Sequence, residues 1–117
     1  MRTLIILNDA PYGGERTYNG LRLALAPLKA DSTAQITVFL LGDAVVAATA
    51  GQKTPEGYYN IERMLDRVLV DRGKVLLCGA CMDARGLTDA EAIEGALRSS
   101  MDALSAETAA ADKVLVF

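Results

Sequence analysis

The cysteines of this chain, Cys78 and Cys81, form a Cys-x-x-Cys pair, and no others are present. Cys78 directly follows an apolar, strand-like run, which places it at the carboxyl end of a predicted strand. Open α/β sheets bind their ligands at that edge. A thiol is a nucleophile only as a thiolate, and a nearby cation or backbone N–H groups lower its pKa. We predict that Arg85 is that cation and that the small Gly79 and Ala80 let N–H groups approach the sulfur.

The pair allows three kinds of chemistry. A dithiol redox site would interconvert the thiols with a disulfide, although a thioredoxin-type pair would open the first long helix, and this one follows a third strand. A structural zinc site needs four ligands, so two cysteines could bind zinc only across a subunit contact. A persulfide site needs one reactive, accessible thiol with the other nearby. The spacing leaves these open, and Cys78 could equally be a buried strand residue, as free cysteines often are.

Other polar and small residues follow predicted strands and form a candidate pocket around the cysteines. The stretch Tyr12-Gly13-Gly14 could cradle an anion on its N–H groups, but it lacks the dinucleotide and Walker patterns, and a tight turn would use the same residues. Asp9 and Asp83 could act as acids or orienting groups, or as solvated turn residues. The predicted pocket residues are Asn8, Asp9, Tyr12, Gly13, Gly79, Asp83 and Gly86.

The composition excludes several classes of chemistry and partner. The chain has no histidine, which removes the Ser-His triad, the Cys-His pair and the commonest metal ligand. Its 12 Lys and Arg against 15 Asp and Glu give a net charge of −3, so no positive field attracts nucleic acid. No apolar run approaches the ~18 residues of a membrane span, and no signal peptide is apparent. We expect a cytoplasmic protein without a metal and without nucleic acid or a membrane as partner.

Apolar runs predict the strands that position these residues. The predicted strands cover residues 3–7, 36–41, 74–77 and 114–117, with a weaker short strand at 96–98. Residues 51–57 and 78–86 are predicted loops, and 51–57 is a candidate lid because it contains loop-forming residues and no core residues.

Apolar residues spaced three and four apart predict helices between the strands. The predicted helices cover residues 18–28, 44–50, 58–72, 89–94 and 100–110. Pro27 should end or kink the first, and Gly73 should end the third. Thr88 and Glu91 are spaced as a capping box for the fourth. This alternation predicts one α/β domain over residues 1–117, a three-layer α/β/α sandwich with a mostly parallel sheet of about five strands, flavodoxin-like in outline.

The chain resembles the DsrE/DsrF-like family of small sulfur-relay proteins, which includes the TusD-type subunits. The resemblance spans essentially the whole chain and includes the stretch 8–14 and the closing run 114–117. Its most specific part is Cys78 at a strand end, with Arg85 and Gly86 following seven and eight residues later. It implies a parallel five-stranded sheet, assembly into trimers or hexamers, and a persulfide carried on Cys78. Cys81 departs from that pattern, and its role is left open.

The leading hypothesis is therefore a sulfur carrier or sulfurtransferase that accepts sulfane sulfur on Cys78 and passes it to a partner thiol without a cofactor. Its partners would be sulfur donor and acceptor proteins, with a homotrimer or hexamer, possibly heteromeric, as the assembly. The alternatives are a noncatalytic module that binds a small molecule or anion, and a dithiol redox protein that uses Cys78 and Cys81.

Overall fold

Five strands form one sheet in which every neighbouring pair is parallel. The computed structural model describes residues 1–117. The strands are β1 (Arg2–Leu7), β2 (Gln35–Leu40), β3 (Lys74–Cys78), β4 (Leu97–Ser99) and β5 (Lys113–Val116). Their spatial order is β4-β3-β2-β1-β5. The predicted α/β fold with a five-stranded sheet is confirmed, and the sheet is parallel throughout rather than mostly.

Helices cover both faces of this sheet. They are α1 (Arg16–Ala30), α2 (Ile61–Val70), α3 (Gly79–Ala84) and α4 (Met101–Ala110). The chain steps in one direction from β1 to β4 and then returns across the sheet to β5. Right-handed crossovers therefore place α1 and α2 on one face and α4 on the other. These layers match the flavodoxin outline, although the strand order differs from the flavodoxin order 2-1-3-4-5.

The core is centred on β2, the middle strand of the sheet. Five of its six residues are buried, as expected for a parallel strand covered on both faces. Phe39 and Leu40 of this strand are completely buried. The four residues of the edge strand β5 are all exposed, and Leu104 is the one buried residue of α4. β2 and its neighbour β3, which ends at Cys78, thus lie in the well-packed middle of the sheet.

The first helix is longer than its apolar pattern predicts. It continues to Ala30, and Pro27 lies inside it instead of ending it. A proline this close to the end removes a single helical hydrogen bond, and the amide of Asp31 closes the helix by donating to the carbonyl of Pro27 at 2.9 Å.

The helix predicted over residues 58–72 is shorter at both ends. It begins after Asn60, whose side chain accepts a hydrogen bond from the amide of Arg63 at 3.0 Å. At its end Arg72, not Gly73, adopts the left-handed conformation with φ of +75°. Gly73 is needed for space, because a Cβ there would lie 2.5 Å from Cγ1 of Val68.

Two predicted short helices are 3-10 helices instead. Residues 42–48 and 89–91 form them, and the capping box of Thr88 and Glu91 is present at the second. The amide of Ile93 donates to the carbonyl of Ala48 at 2.8 Å. This pairing between distant segments draws residues 92–94 out of the predicted helix.

The remaining elements agree closely with the sequence. α4 begins where predicted, because the Ser100 side chain accepts a hydrogen bond from the amide of Ala103 at 3.2 Å. The weak short strand exists as β4, shifted by one residue. None of the helices combines the length and the apolar character that crossing a membrane requires.

Candidate functional site

Cys78 is the last residue of β3 and the N-cap of α3. The segment 78–86, predicted as a loop, is therefore largely helical, because α3 occupies most of it. Its Sγ accepts a hydrogen bond from the amide of Cys81 at 3.3 Å. The thiol thus accepts a hydrogen bond from one of the N–H groups that have no partner within the helix. Cys78 is the N-cap residue, and this position is usually held by serine, threonine, aspartate or asparagine. The sequence concealed this helix because six residues are too few to display a helical repeat.

The Cys-x-x-Cys spacing brings the two sulfur atoms together at the start of α3. The Sγ atoms of Cys78 and Cys81 are 2.6 Å apart, and both residues are free cysteines. Cys78 is only 6% exposed, whereas Cys81 is partly exposed. The site therefore combines a shielded thiol with a more accessible one.

Burial raises the pKa of the Cys78 thiol above its ordinary value, and the hydrogen bond with the Cys81 side chain raises it further. The backbone N–H groups of Cys81 and Ala80 lower it, because they stabilise the thiolate. The expected approach of N–H groups to the sulfur is present, but burial outweighs it. Cys78 is therefore a neutral thiol in the resting protein at neutral pH.

Arg85 follows α3 directly, and its guanidinium donates hydrogen bonds to oxygen atoms and none to the cysteine sulfurs. Its Nη1 donates to the carbonyl of Cys81 at 3.0 Å. Its Nε and Nη2 donate to one carboxylate oxygen of Asp43 at 3.1 and 2.8 Å. Arg85 thus ties α3 to the residues after β2. Because Asp43 balances its charge, Arg85 does not lower the pKa of Cys78 as an unpaired cation would.

Arg98 of β4 is a basic residue of this site that the sequence analysis missed. Its Nη2 donates to a carboxylate oxygen of Asp83 at 2.7 Å, and its Nη1 lies 3.7 Å from Asp89. The hydrogen bond with Asp83 raises the pKa of Arg98. A Cβ on Gly79 would lie 2.9 Å from Nε of Arg98, so the glycine makes room for the arginine. Gly86, with φ of +66°, turns the chain after α3. An arginine at the carboxyl end of a short strand was the signal available in the sequence.

Asn8 links the ends of three strands. Its amide and its Nδ2 donate to the carbonyl of Phe117 at 3.0 and 3.2 Å. Its own carbonyl lies 3.6 Å from the point that a Cβ on Gly42 would occupy, and Nη2 of Arg85 lies 3.9 Å from that point. The missing side chain of Gly42 therefore lets Asn8 and Arg85 approach each other over the end of β2.

Tyr12 connects the loop after β1 to the 51–57 loop and to the start of α2. Its hydroxyl donates to Oε1 of Gln52 at 2.6 Å and accepts from the amide of Ile61 at 3.0 Å. The ring of Tyr59 stacks on Tyr18 at 4.1 Å between centroids and lies 6.0 Å from the ring of Tyr12. The base of the candidate lid, residues 51–57, is thus held in place. The sequence analysis missed this tyrosine cluster, because its members come from three separate segments.

Asp9 and Gly13 contact neither cysteine. The carbonyl of Asp9 accepts a hydrogen bond from the hydroxyl of Thr17 at 2.7 Å, and its carboxylate lies 3.8 Å from Arg16. Gly13 is exposed, with φ of +98° and no atom within 4 Å of the place its Cβ would take. The anion-binding role of this loop stays a prediction.

The largest cavity lies at the other end of the sheet from the cysteines. It has a volume of about 670 Å³ and lies between the first residues of β1 to β3 and the second half of α4. No three His, Cys, Asp or Glu side chains come together as metal ligands. A tetrahedral zinc site needs four ligands, so the cysteine pair alone does not complete one.

Comparison with known proteins places this geometry in context. The sequence model of the DsrE/DsrF-like family matches residues 1–117. Protein YchN from Escherichia coli (strain K12) is 40% identical over 116 residues, which are 99% of this chain and 98% of that protein. The uncharacterized protein MJ0989 from Methanocaldococcus jannaschii is 35% identical over the full length of both chains.

Solved structures agree with the fold. The crystal structure of the YchN protein from E. coli superposes with a TM-score of 0.94, covering 99% of this chain and 98% of that one at 40% identity. The protein of unknown function MTH1491 from Methanobacterium thermoautotrophicum superposes with a TM-score of 0.75, covering 97% of each chain. At 14% identity, that second likeness concerns the fold alone.

Proposed function

The chain belongs to the DsrE/DsrF-like family, which is associated with sulfur relay, and we propose that it is a sulfur carrier with Cys78 as the persulfide-bearing residue. The observation that carries the proposal is the placement of Cys78. It lies at the carboxyl end of β3 and caps α3, with the N–H group of Cys81 donating a hydrogen bond to its sulfur at 3.3 Å. Backbone N–H groups in that arrangement stabilise a sulfur anion.

Loading is a thiol exchange without net oxidation. The Cys78 thiol gives up its proton to solvent, and its Sγ attacks the terminal sulfur of a donor persulfide. A bond forms between Sγ and that sulfur, the sulfur–sulfur bond of the donor breaks, and the donor leaves as a thiolate, which takes up a proton. In delivery, an acceptor thiolate attacks the same sulfur, and Cys78 leaves. This sulfurtransferase reaction needs no cofactor.

Neighbouring residues support this chemistry by fixing α3. Arg85 connects the helix to Asp43, and Arg98 connects it to the end of β4 through Asp83. With both contacts in place, the N–H groups at the start of α3 keep their direction towards Cys78. Preorganised donors of this kind stabilise a developing charge without reorganising during the reaction.

Intact mass spectrometry tests the proposal. The native protein, Cys78→Ser and Cys81→Ser are each incubated with inorganic polysulfide, with and without subsequent reductant. We expect the native chain to gain the mass of one sulfur, removable by reductant, and Cys78→Ser to retain much less. Persistent loading of Cys78→Ser at the native level would contradict the proposal.

A second candidate function is a dithiol redox protein, and the sulfur–sulfur distance of 2.6 Å favours it. Under mild oxidation such a protein loses two hydrogens and both titratable thiols as a disulfide forms. A carrier instead gains sulfur from the donor and keeps its second thiol. Thiol titration before and after each treatment separates the two functions.

We also propose that the protein assembles as a homotrimer or hexamer, which donor and acceptor proteins then contact. The unpaired edge of β5 supports self-association, because its residues are exposed and three of the four are apolar. Val116 is 65% exposed there. Such an edge is a ready surface for another chain. Native mass spectrometry should show a trimer or hexamer that Val116→Lys dissociates. Val70→Lys, which changes a valine that is 73% exposed on α2, serves as the control.

A further inference from the structure

The two thiols of the site differ in what can reach them. Cys78 is 6% exposed, so it offers a macromolecular partner little surface for sulfur exchange while α3 stays in place. α3 is held on both sides, because Arg85 contacts Asp43 and Asp83 contacts Arg98. Cys81 lies one turn along this helix, partly exposed, with its sulfur 2.6 Å from that of Cys78.

We propose that Cys81 exchanges sulfur with macromolecular partners and that Cys78 stores it, the sulfane sulfur moving between the two within one chain. This inference rests on the proposed function and assigns Cys81 a role in it. The partly exposed thiol is better suited to contact with a donor, whereas the buried thiol protects the persulfide from unrelated thiols in solution.

The internal step balances without an oxidant or a reductant. Cys81 thiolate attacks the terminal sulfur of a donor persulfide, and the donor leaves as a thiolate. Cys78 then gives up its proton, and its Sγ attacks the sulfur now carried by Cys81. The Cys78–sulfur bond forms, the Cys81–sulfur bond breaks, and Cys81 leaves as a thiolate that takes up the proton. Delivery reverses these steps.

The geometry favours this route because the sulfur that Cys81 would carry is bonded to an atom only 2.6 Å from Sγ of Cys78. Holding two reacting groups in contact is worth an effective molarity of about 10⁵ M or more in well-oriented cases. The amide of Cys81 donates to Sγ of Cys78 at 3.3 Å, so it stabilises the thiolate that attacks in loading and leaves in delivery. Direct exchange of a macromolecular partner with Cys78 would instead require α3 to move and its two arginine contacts to loosen.

Two donors of different size test the relay. Inorganic polysulfide is small enough to reach Cys78 directly, whereas persulfidated albumin must meet an exposed thiol. The native protein, Cys81→Ser and Cys81→Ala are incubated with each donor, and the rate of sulfur gain is followed by intact mass. Peptide mapping after alkylation locates the sulfur, and thermal unfolding verifies that the variants stay folded.

We expect native protein to accept sulfur from both donors and to hold it on Cys78. Relative to its own rate from polysulfide, each Cys81 variant should load from albumin at least about tenfold more slowly than the native protein does, because it lacks the neighbouring thiol. Loading of the variants from albumin at the native rate overturns the relay and leaves Cys78 as the carrier.

Three other outcomes would overturn the relay or the proposed function. Sulfur that stays on Cys81 in the native protein overturns storage on Cys78, and with it the proposed function. Release of one hydrosulfide per chain with formation of a Cys78–Cys81 disulfide overturns the relay, since Cys81 then discharges the persulfide. Failure of every form to gain sulfur from either donor overturns the proposed function itself.

Discussion

Two segments at the same edge of the sheet, α3 after β3 and the loop after β1, use their small residues for different purposes. After β3, Gly79 lies under the Arg98 guanidinium, and an added Cβ would meet Nε at 2.9 Å and the carbonyl oxygen of Ser99 at 3.1 Å. After β1, Gly13 and Gly14 have no atom within 4 Å of the place a Cβ would take. The segment after β3 is packed around a thiol, while the glycines after β1 border open space.

The polar residues of the two segments differ in the same way. Arg85 and Asp83 hold α3 through ion pairs with Asp43, which follows β2, and with Arg98 of β4. Tyr12 holds the start of α2 and the base of the 51–57 loop instead. We infer that sulfur chemistry is confined to the segment after β3 and that the loop after β1 serves the fold. Four predictions test this division.

The largest effect is expected for Gly79→Ala. The added methyl group must displace the Arg98 guanidinium or move the Ser99 carbonyl, and overpacking of this kind costs about 1–3 kcal/mol of unfolding free energy. Gly14→Ala is the matched control and should change stability by less than about 0.5 kcal/mol. Urea unfolding measures both. Equal stabilities would mean that the packing around Gly79 is not specific.

A somewhat smaller effect is expected for Tyr12→Phe. The change leaves the amide of Ile61 without its acceptor and Gln52 without its donor, which should cost about 1–2 kcal/mol. Tyr58→Phe, at a tyrosine that is 74% exposed, controls for loss of a hydroxyl. Sulfur loading of Cys78 from polysulfide should stay at the native rate in both variants. A large loss of loading in Tyr12→Phe alone would place the β1 loop in the chemistry.

Cys81→Ala should move the pH dependence of Cys78 reactivity. Burial and the hydrogen bond with Cys81 both raise the pKa of Cys78, so the thiolate forms at a higher pH than in an ordinary thiol. Removing the Cys81 side chain removes the second cause and leaves the first. The midpoint of Cys78 alkylation by iodoacetamide should therefore fall, yet remain above that of the unfolded chain in urea. A midpoint that rises or stays fixed would contradict the assigned causes.

Apolar runs and local caps made most of the fold predictable. Each buried strand is a continuous apolar run, and Thr88 marks the start of its element as the sequence indicates. The deviations come from tertiary contacts. Ile93 pairs with Ala48 instead of continuing a helix. Such pairings join residues far apart in the chain, so no local pattern reveals them.

The candidate site was predictable in its position but not in its pairings. The strand end placed Cys78, and the spacing placed Cys81 one turn later. The pattern could not reveal that Arg85 is paired with Asp43, because the carboxylate comes from a different strand end. It also could not reveal Arg98, which reaches the site only once β4 pairs with β3. Motifs predict which groups gather at an edge, whereas charge balance depends on the assembled sheet.

The smallest effect separates two roles for Arg85. If it positions α3 through Asp43, then Arg85→Lys and Asp43→Asn should both slow sulfur loading by about two- to fivefold, since an exposed ion pair is worth up to about 1 kcal/mol. The pH midpoint of Cys78 alkylation should not change in either variant. If Arg85 acts instead as a cation for the thiolate, Asp43→Asn frees its charge, which would lower that midpoint and speed loading. Arg67→Lys, which alters the exposed pair with Asp71 on α2, should leave both measurements at the native values. Opposite effects of the Arg85 and Asp43 variants would therefore refute the positioning role.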